Sequence, residues 1–434
     1  MHTPTFSDNI IKSPALSHRN VYYLILHLLV IFIFFSKAGI SICIGILFLL
    51  SLFRISNSHG IRIIPNRSFI RALHKNSQKW LYISMMLLFG LTVISGLHSD
   101  NTTSWLHFIK LKLPYLLMPI IFVNHPPIEK HIYRSLLLTL ILSVFISSIG
   151  VMSYYALDMW KINEQISLGK SLMTPLTHVK FSVLLAMSII SAVALAIENK
   201  SIWSRHWRRP LYIVSAFLFV TIHILSARTG LLSLYVVGVP MLLGYLGMRR
   251  YYKSIVVVSL LALSAPFIAY YNIPSFYNKY HYMKHDLQMI REQKGDNYSD
   301  GERLRSILIG LKLWREYPLF GTGIGDLRDL CDQEYRQHYP QSTKQILPHN
   351  QYVMYLAGYG IIGLLIFMIC LCYPITLTLL RQNPHFMSLF FILLLYGLVE
   401  KPFDEYVFIV IHSFFFCLAF SLSATTSIDK WRSG

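Results

Sequence analysis

Apolar segments long enough to cross a lipid bilayer recur about twelve times along this 434-residue chain. A hydrocarbon core about 30 Å thick requires roughly 20 apolar residues per helix. Only 14% of the residues are charged, against about 25% in soluble domains. The sequence therefore predicts an all-α polytopic membrane protein with about twelve transmembrane helices. We place them near residues 21–36, 38–53, 80–97, 105–123, 135–157, 181–197, 211–226, 229–247, 254–271, 350–373, 386–399 and 405–423.

Lys and Arg residues are distributed unevenly between the two sides of the predicted spans. The flanks on the side of the N-terminus hold 20 Lys and Arg residues, whereas the opposite, outer side has eight: six in the short connections, and Lys110 and Lys112 near one helix start. Because cytoplasmic flanks carry the excess of positive charge, this predicts that both termini are cytoplasmic. The net charge of +19 then reflects membrane topology. No basic cluster interleaved with aromatic residues indicates a nucleic-acid partner.

One outer connection, residues 272–348, is much longer than the others and carries 11 basic and 10 acidic residues. Loops of this length are usually functional when they occur in a compact protein. This loop separates an N-terminal membrane region, 1–271, with about nine helices, from a C-terminal membrane region, 349–434, with about three. Its nearly balanced charge predicts a small folded cap.

An amphipathic helix is predicted within this loop at residues 302–317. Ser299 and Glu302 form a capping-box pattern, and Pro318 would end the helix. We expect the helix to lie over the membrane. Its apolar positions would be Leu304, Ile307, Leu308, Leu311 and Trp314.

Arg228 is the first candidate for a functional side chain. The apolar stretch 211–247 would be about 55 Å long as a single helix, so the chain must turn near Ala227–Gly230. Arg228 would then lie at the outer mouth of a helical hairpin. There its guanidinium could bind phosphate oxygens in a bidentate manner, or it could reach lipid phosphates at the interface.

Arg303 and Arg305 are the second candidates, because they lie at the start of the predicted amphipathic helix. Backbone N–H groups at a helix start favour an anion, and two arginines from different segments would fit a diphosphate. The alternative is a solvated helix face on which they pair with Asp300, Glu302 or Glu316.

His349 is the third candidate and lies where the long loop re-enters the membrane, directly before Asn350. A histidine titrates near neutral pH and can take a proton from an attacking hydroxyl group. Weaker candidates on the outer side are Asn350, Lys110, Lys112, His178 and Lys180. With neither a Walker A sequence nor an Asp-x-Asp pair, the sequence predicts no metal site and no other cofactor.

Two glycine patterns resemble nucleotide-binding loops. Gly358, Gly360 and Gly363 match a dinucleotide fingerprint, but they lie in a predicted membrane helix, so close packing is their expected role. The glycines of residues 321–325 could either cradle a phosphate or form a sharp turn.

Several of these motifs occur in a characteristic order along residues 210–370. In this order and spacing the chain resembles the O-antigen ligase family, and the twelve-span plan extends the resemblance over most of the chain. The motifs are Ser226–Gly230 at the hairpin, Gly301–Arg303 before Trp314, Pro318–Gly323, and His349–Asn350 before Gly360 and Gly363.

The resemblance implies a GT-C-type, inverting glycosyltransferase on the periplasmic face of the bacterial inner membrane, with 272–348 as a periplasmic loop. It would transfer a glycan from undecaprenyl diphosphate to lipid A–core oligosaccharide in lipopolysaccharide biosynthesis, among membrane lipids and without metal or cofactor. By motif position, Arg228 and Arg303 would bind the diphosphate, with Arg305 as the alternative to Arg303. His349 would orient or deprotonate the acceptor hydroxyl.

Two other functions remain open at this level. O-antigen polymerases and protein O-oligosaccharyltransferases of the same superfamily share these motifs, so the acceptor is not fixed by the resemblance. A transporter of lipid-linked sugars is a different class of protein. It would need charged or broken helices near the bilayer midplane and often an internal repeat. The predicted spans carry almost no formal charge, and no repeat is visible.

Overall fold

The computed structural model describes residues 18–56, 62–65, 73, 78–197, 202–292, 298–342 and 344–432. Helices dominate these residues. The first half contains α1 (His18–Phe35), α2 (Lys37–Leu52), α3 (Lys79–Ser95), α4 (Thr102–Lys112), α5 (Pro114–Asn124), α6 (Lys130–Leu157), α7 (Met159–Ser167), α8 (His178–Ile197) and α9 (Ile202–Leu225). The second half contains α10 (Arg228–Ser233), α11 (Val239–Met248), α12 (Tyr252–Asn272), α13 (Pro274–Arg291), α14 (Ser299–Glu316), α15 (Leu327–His338), α16 (Gln351–Cys372), α17 (Thr378–Arg381), α18 (Pro384–Gly397) and α19 (Tyr406–Arg432).

The all-α polytopic membrane fold is confirmed. Among the described residues, nine helices are long and apolar enough to cross a membrane. Three shorter apolar helices, Lys37–Leu52, Pro384–Gly397 and Tyr406–Leu422, coincide with the other three predicted spans, so the count of twelve stays a prediction. A small antiparallel hairpin of β1 (Phe53–Ser56) and β2 (Arg62–Pro65) follows α2, where the sequence indicated only a polar flank.

The span predicted at 105–123 is divided into α4 and α5 at Leu113. Pro114 is the first residue of α5. Proline lacks an N–H group and is tolerated at a helix start, whereas in a helix interior it removes a hydrogen bond. The Pro114 ring therefore explains why one apolar run forms two helices.

The predicted turn after α9 is confirmed. Helix α9 ends at Leu225, Ser226 has a φ of 54°, Ala227 is extended, and α10 begins at Arg228. A positive φ is rare for residues other than glycine and reverses the chain direction within a few residues. Gly230 lies so close to Ser182 of α8 that a Cβ atom there would collide with it. This close approach fixes the start of α10 against α8.

The glycines of α16 and of residues 321–325 meet each other. Gly360 has a φ of 66°, and a Cβ atom there would collide with the carbonyl group of Leu319. The N–H group of Thr322 donates to the Ala357 carbonyl oxygen at 2.8 Å, and that of Ile361 to the Pro318 carbonyl oxygen at 2.9 Å. The loop thus satisfies backbone groups at a break in α16. Close packing is confirmed for Gly360, although its partner is a loop, and Gly321 and Gly323 form turns with φ of 73° and 82°.

The long loop contains α13, α14 and α15. The capping box predicted at the start of α14 is wrong: Ser299 is already helical, Tyr298 precedes it without a side-chain cap, and the Asp286 carboxylate accepts from the N–H group of Asp300 at 3.3 Å. The Glu302 carboxylate instead pairs with Lys344 at 3.1 Å. Helix α14 ends at Glu316, as Pro318 predicted.

The face of α14 that packs on the protein differs from the predicted apolar face. Gly310 lies against Pro348 and Val353 at the start of α16, and Leu304 and Leu308 are exposed. Polar residues can occupy the buried face because they find partners there. The buried residues of α14 are Gly301, Glu302, Arg305, Ser306, Ile309, Gly310 and Leu313.

Candidate active site

Arg228 makes a bidentate ion pair with Asp300 of α14. Its Nη1 and Nη2 atoms donate to Asp300 Oδ2 at 2.7 Å and Oδ1 at 2.6 Å. The parallel geometry matches the planar guanidinium fork to a carboxylate, which is the strong form of such a pair. The Arg228 side chain is 45% exposed, so an incoming anion can still reach it.

Arg303 and His349 are joined through the carboxylate of Glu400. Arg303 Nη2 donates to Glu400 Oε1 at 2.8 Å, and His349 Nδ1 lies 3.0 Å from Glu400 Oε2. Arg303 Nη1 also lies 3.8 Å from Asp300 Oδ1. A continuous chain of charged contacts therefore runs from Arg228 through Asp300, Arg303 and Glu400 to His349.

The contact with Glu400 fixes the imidazole of His349. A carboxylate only accepts hydrogen bonds, so Nδ1 carries the proton in the neutral ring, and Nε2 presents its lone pair. The backbone N–H group of His349 donates to Ser306 Oγ of α14 at 3.0 Å. Asn350 caps α16 through bonds from the N–H groups of Tyr352 and Val353 at 3.0 and 3.1 Å. The ring is therefore held from both its side chain and its backbone.

A buried ionic network anchors the loop that carries Glu400. Lys112 Nζ lies 2.7 Å from Asp404 Oδ1, and Gln351 Nε2 donates to Asp404 Oδ2 at 2.5 Å. Gln351 Oε1 in turn accepts from the N–H group of Phe403 at 2.8 Å. Lys112 and Gln351 are both fully buried. Because Gln351 is the first residue of α16, the network ties this loop directly to the segment that bears His349.

A cavity of about 80 Å³ lies between α8, the start of α10, α13 and α14. Four of its lining residues carry or can carry positive charge. His349 does not line it and is connected to it through Glu400 and Arg303. The four are His178, Arg228, Lys279 and Arg303.

Residues 213–368 match the protein family described as O-Antigen ligase. The matched segment includes Arg228, Arg303 and His349. The resemblance to the O-antigen ligase family is confirmed. The match supports a glycosyltransferase-like activity of the O-antigen ligase or polymerase type. No curated protein matches the chain.

The charges in this candidate site compensate one another. Burial by itself would raise the pKa of the Glu400 carboxyl, but the His349 hydrogen bond and the charge of Arg303 outweigh it and lower that pKa. The same balance, with Arg228 as the main partner, lowers the pKa of Asp300. Both carboxylates are therefore ionised at neutral pH, and each neutralises a guanidinium that lines the cavity.

The other predicted residues fall into two groups. His178 lines the cavity, and its Nε2 atom lies 3.3 Å from Ser171 Oγ. Arg305 is 6% exposed, lies over the ring of Tyr339 and does not line the cavity.

The three predicted lysines also lie outside the cavity lining. Lys110 is exposed on α4. Lys112 is fully buried in its pair with Asp404, and Lys180 pairs with Glu405 at 2.8 Å. Among the described residues, no group of three or more His, Cys, Asp or Glu side chains is placed to hold a metal ion.

Glu400 and Lys279 were not predicted from the sequence, and Asp300 was predicted only as a possible partner for the arginines of its own helix. One signal pointed to Glu400: three carboxylates, Glu400, Asp404 and Glu405, lie close together where the chain passes between the last two apolar runs. Charge beside membrane spans is costly unless it is paired or functional. Lys279 had no such signal, because it is one of 11 basic residues in its loop.

Proposed function

We propose that the protein is an O-antigen ligase that transfers a glycan from undecaprenyl diphosphate to lipid A–core oligosaccharide in lipopolysaccharide biosynthesis. The observation that carries the proposal is the chain of contacts that joins Arg228 and Arg303, at a cationic cavity, to His349 through Glu400. One end of this chain can bind an anion, and the other can accept a proton. A group transfer with a diphosphate leaving group needs both.

In the proposed reaction, an acceptor hydroxyl oxygen attacks the anomeric carbon of the lipid-linked sugar. The bond from that carbon to the diphosphate oxygen breaks, and the electron pair leaves with undecaprenyl diphosphate. Arg228 and Arg303 would bind the diphosphate and balance its growing negative charge through guanidinium N–H groups that do not donate to Asp300 or Glu400. Fixed cations that face developing charge stabilise such a transition state. A single displacement of this kind inverts the anomeric configuration.

His349 would take the proton of the acceptor hydroxyl at Nε2. Its Nδ1–H group donates to Glu400, which selects the tautomer and stabilises the imidazolium as it forms. Glu400 acts here as a positioning residue, since it touches His349 and Arg303. The carboxylate thus couples the proton acceptor to one of the cations at the leaving group.

The proposal places the reaction on the periplasmic face of the bacterial inner membrane, with both termini cytoplasmic. The supporting observation is the distribution of Lys and Arg: 20 lie on one set of flanks, and eight lie on the other side, of which six are in short connections and two near a helix start. Arg228, the 272–348 loop and His349 all lie on the outer side in this topology. Both substrates are lipids, so they would enter laterally between helices.

The test is a transfer assay with purified protein in detergent, undecaprenyl diphosphate-linked glycan and lipid A–core, with EDTA and without ATP. We expect glycan on lipid A–core with inverted anomeric configuration, and none with Arg228→Ala or His349→Ala. Arg249→Ala, at the far end of the same span, and His107→Ala, on an exposed face of α4, are matched controls that should retain transfer.

Three results would contradict the proposal. Longer glycan on undecaprenyl diphosphate, without transfer to lipid A–core, would identify a polymerase. Loss of transfer with EDTA that added metal restores would show that a metal ion takes part. Movement of lipid-linked glycan across liposomes without any transfer would identify a transporter.

A further inference from the structure

We propose that Lys279 binds the diphosphate directly, as a third cationic contact beside Arg228 and Arg303. This inference rests on the proposed function and adds a substrate-binding residue to it. Lys279 lies on α13 and lines the same cavity as the two arginines and His178. Three different segments, α10, α13 and α14, therefore direct basic side chains toward one space.

Charge compensation distinguishes Lys279 from the two arginines. Arg228 is paired with Asp300, and Arg303 with Glu400. Among the residues that the structure describes, no ion pair within 4.0 Å includes Lys279, in contrast to the two arginines. Lys279 Nζ lies over the ring of Tyr282, 5.6 Å from the ring centroid. Of the three Lys and Arg side chains that line the cavity, Lys279 is therefore the one without an ion pair to a described residue.

The surroundings of Lys279 favour a bound anion. Burial and the charges of Arg228 and Arg303 lower the pKa of the Lys279 ammonium, and together they outweigh the charges of Asp300 and Asp286, which raise it. The ammonium has lost part of its hydration and has no ion pair to replace it, and an anion bound in the cavity would supply one. A diphosphate carries enough negative charge to contact several cations at once. Lys279 lies on the cavity wall, where its ammonium can reach such a ligand.

Helix α13 holds Lys279 in a fixed position. Ser275 is fully buried, and its Oγ donates to the Ile224 carbonyl oxygen at 2.7 Å. Asn278 Nδ2, directly before Lys279, donates to the Asn163 carbonyl oxygen at 2.9 Å. These bonds join α13 to α9 and α7. Binding groups on rigid elements lose less entropy when they meet a ligand than groups on free loops.

The experiment measures binding of undecaprenyl diphosphate, the proposed leaving group, to the full-length protein in detergent. Lys279→Met removes the ammonium and keeps the apolar stem. Loss of a hydrogen bond to a charged group lowers affinity about tenfold or more. We therefore expect Lys279→Met to bind undecaprenyl diphosphate at least about tenfold more weakly than wild type. Lys279→Arg keeps the charge and should recover part of the affinity. Lys284→Met, on an exposed position of the same helix, is the matched control and should bind like wild type.

The outcomes separate this inference from the proposed function. Weakened binding in Lys279→Met, with partial recovery in Lys279→Arg and a wild-type control, supports it. Wild-type affinity in Lys279→Met, when Arg228→Ala has lost binding, overturns the role of Lys279 and leaves the diphosphate site intact. Absence of undecaprenyl diphosphate binding in the wild-type protein overturns the proposed function itself. Equal weakening in Lys279→Met and Lys284→Met would show a general charge effect and would also overturn the inference.

Discussion

Replacement of Glu400 by Gln tests the link between the two ends of the site. Glu400 accepts from Arg303 at 2.8 Å and lies 3.0 Å from His349 Nδ1. A Gln side chain has one carbonyl oxygen, so it can accept from only one of these donors, and its NH2 group would face the other. The substitution therefore removes one charge-assisted hydrogen bond while the side chain keeps nearly the same volume.

The magnitude follows from that lost bond. A hydrogen bond to a charged group contributes about 1.5–3 kcal/mol, and about 1.4 kcal/mol corresponds to a tenfold change in rate. We expect kcat for glycan transfer to fall about 10- to 150-fold in Glu400→Gln. KM for the lipid-linked donor should not rise, because Arg303 loses a carboxylate that competes with phosphate. A merely structural role would not produce this division between kcat and KM.

The assay is the transfer reaction with varied donor concentration, after size-exclusion chromatography has shown that the variant is folded. Glu405→Gln is the matched control: it removes the same charge five residues later, from a pair with Lys180 at 2.8 Å outside the chain of site contacts. That control should keep kcat within about threefold of wild type. A folded Glu400→Gln protein that keeps the wild-type kcat, whether or not its KM is raised, would refute the positioning role of Glu400.

Three other perturbations test the structure around the site. Lys112→Met leaves the Asp404 carboxylate buried without its cation, and we expect a loss of about 3–5 kcal/mol in stability, seen as a lower thermal aggregation temperature; unchanged stability with lost transfer would mean that Lys112 contacts substrate. Gly360→Ala forces a side chain to φ 66° against Leu319, at a cost of at least about 1–2 kcal/mol, whereas Gly45→Ala, in open space, should not destabilise, and equal thermal shifts would refute the break in α16. The folded-state pKa of Glu400 lies below its ordinary value of 4.5, so its charge stabilises the protein above that pH and ceases to do so as pH falls through the lower folded-state value; thermal stability measured from neutral to acid pH should therefore decline less in Glu400→Gln than in wild type.

Local sequence was sufficient for most of the fold. Each of the twelve apolar runs coincides with helix in the structure, because a bilayer imposes both the length of a span and internal pairing of its backbone groups. The turn before Arg228 could be predicted from the length of the apolar stretch 211–247 alone. The start of α14 was mispredicted, because a carboxylate of another helix, Asp286, occupies the place that the capping box assigned to a local side chain.

The candidate site was predictable only in part. Arg228, Arg303 and His349 were identified from residue type, position at helix starts and the order of motifs. Their partners were not, since Asp300 is 72 residues from Arg228, and Glu400 is 97 residues from Arg303 and 51 from His349. Lys110 and Lys112 looked equivalent in sequence, yet one is exposed and the other fully buried.

The sequence by itself determined the membrane class, the position of the apolar helices and the residue types at their ends. These depend on hydrophobic length and helical period, which are local properties of the chain. The tertiary structure decided which charges meet, because pairing depends on how α10, α13, α14 and the loop after α18 pack together. It thereby decided that both arginines are neutralised by carboxylates, that His349 is oriented by Glu400, and that Lys279 faces their cavity. Such contacts arise from three-dimensional packing, in which residues far apart in sequence exclude water from a shared space and must satisfy one another's charge.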